Sequence, residues 1–299
     1  MSHVAFKQVD VFTQVPYRGN PVAVVLDAQG LADEQMQRIA NWTNLSETTF
    51  VLPPTRPGAD YRVRIFTPQS ELPFAGHPTL GTAHALLEAG RIVPKGGRLV
   101  QECGAGLIQL TVTPAADQSP VIAFDLPTPS LTPLTHEQVD QLESILGASV
   151  QREPRPSLVN VGPTWTIVQL ASAEAVLALR PDFVRMAPFD QHNKSIGIVV
   201  YGAYAKGLPA AIEVRAFAPS VSVNEDPVCG SGNGAVAAFI RDAGQINWFG
   251  SDYVSTQGSA VGRAGKIHVA FEGNDVIRVG GQSVTCISGT IALQGTGGA

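Results

Sequence analysis

Polar and apolar side chains trade places over residues 4–12, the period-2 pattern of a strand with one buried face. A second short strand is predicted over residues 21–26, reached through Tyr17-Arg18-Gly19-Asn20. The period then changes, with Leu31, Met36, Ile39 and Ala40 following a helical spacing up to Trp42. Strand patterns return at 48–52 and 61–66, and again around 97–102, 107–112 and 121–124. Between them residues 78–87 are small and apolar almost all round, which predicts a helix buried on every side. Three prolines within 127–133 mark a linker. Beyond it, Thr135 is placed to cap a helix running to Leu146. Strands are predicted over 158–161, 164–170, 196–200 and 211–217, with short helices near 172–179 and 181–186. A second buried helix is predicted from about 232 to 243. Strands over 253–255, 266–271, 276–279 and 284–293 complete a β-rich second half, and 295–299 reads as a frayed tail.

Part of this pattern occurs twice. Val63-Arg64-Ile65-Phe66-Thr67-Pro68 leads into Pro73-Phe74-Ala75-Gly76-His77 and the first apolar helix, ending at Ala89-Gly90. Val214-Arg215-Ala216-Phe217-Ala218-Pro219 leads into Pro227-Val228-Cys229-Gly230-Ser231 and the second, ending at Ala243-Gly244. From the turn onward Pro73, Gly76, Ala83, Ala89 and Gly90 match Pro227, Gly230, Ala237, Ala243 and Gly244 at a constant offset of 154, and Val100 and Gly104 still meet Val254 and Gly258. A repeated strand, turn and helix points to two homologous halves. A sheet curled around each apolar helix would bury it on all sides. The expectation is therefore an α+β chain of two pseudo-symmetric domains, each a mixed β-barrel around a central helix. The domains are expected at 1–126 and 127–299, with the strand near 284–295 available to complete the first and the active site in the cleft between them.

Composition narrows the function classes. The chain has 299 residues, long enough to prefer two domains, and is 44% hydrophobic and 15% charged, which suits packed globular structure. A net charge of −5 with no Lys/Arg cluster gives no reason to expect nucleic acid or an anionic membrane. No run approaches a membrane span and no signal peptide is visible. Three scattered cysteines, Cys103, Cys229 and Cys286, fit a reducing compartment, and a cytoplasmic location is expected.

The chemistry concentrates at the two turns. Each would open a helix whose first N–H groups lack intrahelical partners, a setting suited to a carboxylate. As ordinary tight turns they would be capped by Thr79 or Ser231; their repetition favours a site. Glu47 stands between a helix and an apolar strand, either as a solvated edge charge or, facing an apolar cleft, as an acid/base group. His77 and Asp226 flank the turns, where structural hydrogen bonding is the alternative role. Cys229 at a helix start is in a setting that lowers a thiol pKa, with a small buried residue as the alternative. Ala75 occupies the matching place in the first half, which disfavours two-cysteine stereoinversion. The histidines show no ligand pairing, so no metal is expected. Neither a phosphate-loop lysine, a nucleophile elbow nor a dinucleotide fingerprint is present.

Four motifs, Gly19-Asn20-Pro21-Val22-Ala23-Val24, Asn44-Leu45-Ser46-Glu47-Thr48, Phe74-Ala75-Gly76-His77-Pro78-Thr79-Leu80-Gly81 and Asp226-Pro227-Val228-Cys229-Gly230-Ser231, closely resemble the phenazine-biosynthesis PhzF family. They span nearly the whole chain. The resemblance implies the diaminopimelate epimerase-like fold, with two barrels around central helices. It also implies an isomerase that needs neither metal nor organic cofactor, such as trans-2,3-dihydro-3-hydroxyanthranilate isomerase. Carried over by motif, Glu47 is the general acid/base and His77 and Asp226 complete the catalytic set. Ser46, Gly76, Cys229, Gly230 and Ser231 bind a small carboxylate-bearing metabolite. A homodimer is implied as well. Two alternatives are a cysteine-dependent epimerase using Cys229 and a silent ligand-binding relative.

Overall fold

The computed structural model describes residues 2–115, 119–273 and 275–293; the tail expected at 295–299 lies outside them. The chain divides into two compact units, one of Met1–Asp125 with Gly280–Ala299 and one of Leu126–Val279.

In the first unit, β1 (Ser2–Val11) lies between β2 (Asn20–Val25) and the returning strand Ser283–Leu293, antiparallel to both. Helix α1 (Asp33–Thr43) follows β2 and leads into β3 (Glu47–Leu52), which runs parallel to β2. A parallel step needs such a crossover, and here α1 supplies it. Its Met36 and Ala40 pack with Val25, Ala28, Phe50 and Phe66 on one face of the sheet. β4 (Tyr61–Phe66) and the short β5 (Glu71–Leu72) lead to helix α2 (Gly76–Glu88). Every residue from Gly76 to Leu86 is buried, because α2 packs against β1, β2, β3, the returning strand and β8 (Val121–Asp125). The sheet continues through β6 (Arg98–Cys103), parallel to β4, and antiparallel β7 (Gly106–Thr113) to β8. Wrapping by strands explains the apolar circumference read in the sequence.

The second unit repeats the plan. The segment read as a linker forms β9 (Ser130–Pro133), paired with β10 (Ser157–Asn160). Helix α3 (His136–Leu146) is capped by Thr135, whose hydroxyl accepts the Gln138 N–H. β11 (Thr164–Gln169) is followed by α4 (Ala173–Ala178) and α5 (Phe183–Asn193). The second of these helices is longer than the pattern predicts. It continues through Pro188 to Asn193, and its Met186 and Phe189 lie in the core. β12 (Gly197–Ala203) runs parallel to β11, β13 (Ile212–Ala218) antiparallel to β12, and β14 (Val223–Asp226) leads to α6 (Gly230–Asp242). Helix α7 (Ile246–Phe249), β15 (Asp252–Gln257), β16 (Gly265–Glu272), β17 (Val276–Gly281) and β18 (Ser283–Leu293) complete the chain. Nearly all of α6 is buried, against β10, β11, β12 and β16.

The repeat is visible in the registers. β4 pairs parallel with β6 at Tyr61↔Gln101, and β13 with β15 at Ile212↔Ser255. Helices α2 and α6 have the same length and the same offset of 154. The matched glycines also gain a reason. A Cβ on Gly104 would lie 2.8 Å from Pro73 Cα, and one on Gly258 2.5 Å from the Pro227 carbonyl oxygen. In each unit a glycine therefore lies beneath the turn proline where no side chain fits.

Candidate active site

In the first unit Ala75 is extended and α2 starts at Gly76 without a side-chain cap. His77 follows in the first helical turn and is buried. Its ring hydrogen-bonds to the Pro21 backbone, and Nε2 has no aligned hydrogen-bond partner. Pro21 offers only a carbonyl, so Nδ1 is the donor and Nε2 carries the lone pair in the neutral ring. Burial outweighs the Pro21 bond and pushes the imidazole down to about 3. Glu47 is the first residue of β3, set beside Val22 by the parallel register. Its Oε2 lies 3.2 Å from His77 Nε2. A neutral ring with Nδ1 committed to Pro21 can only accept from Glu47, so this contact becomes a hydrogen bond when the carboxyl carries the proton. Ser46 is exposed in the bend just before β3.

The surrounding residues hold this geometry. Asp10, buried in β1, accepts the Gly19 N–H at 3.3 Å on its carboxylate. A Cβ on Gly19 would lie 2.3 Å from the Val11 carbonyl oxygen, so the chain can approach β1 closely only with glycine here. Beneath the helix, Gln101 donates to Thr79 Oγ1 at 2.9 Å and accepts from the Tyr61 hydroxyl at 3.1 Å.

The second unit brings Asp226, Cys229 and Ser231 together. Asp226 ends β14, and its carboxylate accepts the Val228 N–H at 3.0 Å. Burial raises it, to about 6, against the Val228 bond and a bond from the Cys229 thiol. Cys229 Sγ accepts the Gly232 N–H at 3.3 Å and so caps α6. The lowered thiol pKa expected at this helix start is not found. Burial pushes the thiol well above its ordinary value, and the neighbouring Asp226 charge adds to the rise. Desolvation outweighs the helix terminus here. Ser231 Oγ accepts the indole N–H of buried Trp165 at 3.1 Å and lies 3.6 Å from Cys229 Sγ. The caps considered from sequence are replaced by a sulfur in one unit and by no side chain in the other.

Two contributors escaped the sequence reading, Trp165 and Gln257, while Pro21 stood within one of the four motifs without a role of its own. The local sequences of Trp165 and Gln257 carry no motif. Among the described residues, no group of three or more His, Cys, Asp and Glu side chains is placed to hold a metal ion. No described helix is long and apolar enough to cross a membrane.

Comparison with known proteins agrees with this construction. Residues 9–289 match the family model described as "Phenazine biosynthesis-like protein", PhzC-PhzF. The chain is 43% identical to antisense-enhancing sequence 1 of Schizosaccharomyces pombe, over 97% of this chain and 99% of that protein. It is 38% identical to a trans-2,3-dihydro-3-hydroxyanthranilate isomerase of Pseudomonas fluorescens, over 95% and 98%. A crystal structure of a PhzF-family phenazine biosynthesis protein of Bacillus anthracis superposes with a TM-score of 0.84, covering 98% of this chain and 100% of that one at 24% identity. With the family model spanning nearly all of its length and isomerases among its similar relatives, the chain belongs to the phenazine biosynthesis-like PhzC-PhzF family and is an isomerase of that family.

Proposed function

We propose that the protein moves a proton on a small carboxylate-bearing substrate, with Glu47 as the general acid/base and no cofactor in the reaction. The observation that carries this reading is the 3.2 Å approach of Glu47 Oε2 to the accepting nitrogen of a buried, neutral His77. Glu47 takes the proton from carbon, and His77 Nε2 then stabilises the protonated carboxyl by accepting its hydrogen bond until the proton is returned elsewhere on the substrate. In the second unit the Ser231 hydroxyl accepts from Trp165 and directs its own O–H to Cys229 Sγ, whose proton faces Asp226. The uncapped start of α2 at Gly76 presents backbone donors beside Glu47 and His77, suited to a substrate carboxylate or to charge developing during proton removal. Asp226, raised to about 6, can hold a proton near neutrality and hydrogen-bond a second polar group. The relative named trans-2,3-dihydro-3-hydroxyanthranilate isomerase makes that dihydroaromatic acid the first substrate to try.

The test is Glu47→Gln, assayed by isomerisation of that acid and by deuterium uptake from heavy water. Removing a general acid/base costs roughly 10²–10⁴-fold in rate. Turnover should fall by that factor while ligand binding persists; a wild-type rate removes Glu47 from the mechanism. Binding without exchange in the unaltered protein would instead favour the silent ligand-binding relative.

One observation favours a second reading. The Cys229 thiol donates to Asp226, so a base already faces a thiol, as a one-thiol epimerase requires. On that reading Cys229→Ser abolishes activity and alkylation labels Cys229 first. The high thiol pKa weighs against it.

A further inference from the structure

Gln257 is the last residue of β15 and is 1% exposed. Its side chain touches the Asp226 turn at both ends. Nε2 donates to the Asp226 carbonyl at 2.9 Å, and Oε1 accepts the Cys229 N–H at 3.1 Å. Oε1 also accepts from Asn233 Nδ2 at 2.8 Å, and that nitrogen gives its other hydrogen to the Cys229 carbonyl at 2.9 Å. Asn233 is held in turn by Ser255, whose hydroxyl donates to Oδ1 at 2.5 Å. The chain from Asp226 to Cys229 is thus clamped by one amide and its buried support. In the first unit the offset of 154 puts Cys103 in place of Gln257. There the next carbonyl along, that of Pro73, which matches Pro227, is held by a backbone bond from the Ala105 N–H at 3.0 Å. The side-chain clamp belongs to the turn that carries the carboxylate.

We propose that Gln257 is a positioning residue of the isomerase site, setting the place of the Asp226 carboxylate and of the Cys229–Ser231 helix start by joining the Asp226 carbonyl to the Cys229 N–H. The geometry demands a donor and an acceptor side by side on one planar group, which glutamine supplies in either charge state of its neighbours. A protonated glutamate supplies the same pair. An ionised glutamate supplies only acceptors and would face the Asp226 carbonyl with charge. Titratable groups that act on Asp226 include Glu225, which is paired with Arg215, and Cys229.

This inference rests on the proposed function for its kinetic arm only, so two readouts are taken on the full chain. The first is ¹³C NMR titration of Asp226, assigned with Asp226→Asn, which needs no substrate. The second is kcat and KM for trans-2,3-dihydro-3-hydroxyanthranilate against pH. In Gln257→Leu the Asp226 titration should fall from about 6 toward the ordinary 3.8, and kcat should drop roughly tenfold to a hundredfold, more than KM rises. Gln257→Glu should lose activity at neutral pH and recover it relative to wild type as the pH falls and the new carboxyl protonates; this arm decides the matter if the leucine variant does not fold. Folded variants in which Asp226 titrates as in wild type, or in which the glutamate loss is the same at every pH, overturn the proposal. Absence of turnover in the unaltered protein counts against the substrate reading alone, and the NMR titration then decides the role of Gln257.

Discussion

The two copies of the strand–turn–helix cassette share an ion pair and use it differently. Arg64 forks onto Glu71 at 2.6 and 2.7 Å, and Arg215 onto Glu225 at 2.8 and 2.9 Å. Each arginine also lies over the phenylalanine two residues on, Phe66 at 5.1 Å and Phe217 at 4.9 Å. In the first unit the pair faces solvent, with the Glu71 side chain 41% exposed, and Asp33 of α1 joins it. In the second unit the side chains are 6% and 8% exposed, and Arg215 also donates to the Val176 and Leu179 carbonyls. The same pair braces the surface in one copy and the interior in the other. A duplicated motif preserves geometry; what surrounds it sets the energetic weight.

The different side chains at the two turns have the same origin. Thr48 pairs with Phe66 and Ile198 with Phe217, so Gly197 stands where Glu47 does. The offset of 154 likewise places Ser231 opposite His77 and Cys229 opposite Ala75. Each half thus keeps different polar groups, Glu47 and His77 in one and Asp226, Cys229 and Ser231 in the other.

Four experiments bear on this comparison. Arg215→Met strands a buried Glu225 and should cost about 3–5 kcal/mol, whereas Arg64→Met should cost about 1 kcal/mol or less in solvent; denaturant unfolding reads both, and equal losses would deny that burial separates the copies. Gly197→Ala comes next. Its Cβ would lie 2.0 Å from the Phe217 carbonyl oxygen, so a loss of about 1–3 kcal/mol is expected from the forced backbone shift. A neutral result would mean that β12 has room for a second acid.

The pH dependence separates the copies further. His77 is depressed from 6.5 to about 3, so the unfolded chain takes up its proton first and stability is lost as pH falls from 6.5 toward 3. Asp226 is raised from 3.8 to about 6, so its contribution runs the other way, fully present below 3.8 and lost as pH rises through 6. His77→Gln should flatten the acid loss, and Asp226→Asn should remove the acid gain; stability curves from pH 3 to 7 test both. The smallest effect is expected at Cys229. Its buried thiol should react with iodoacetamide more slowly than a free thiol at pH 7, as intact-mass timing would show, and rapid labelling would revive the thiol mechanism.

The sequence alone determined that the chain is duplicated, that each copy holds a helix apolar on all sides, and which residues stand at the two turns. Those facts depend on local period and spacing, which a chain carries without folding. Only the tertiary structure decided that Pro21 orients His77, that Trp165 orients Ser231 and that Gln257 grips both ends of the Asp226 turn. These partners lie 28 to 66 residues away along the chain, and no local pattern marks a side chain that meets its partner across a sheet. The thiol at Cys229 shows the same division. Its place at a helix start was legible, and its high pKa was not, because desolvation is set by how deeply the surrounding chain buries it.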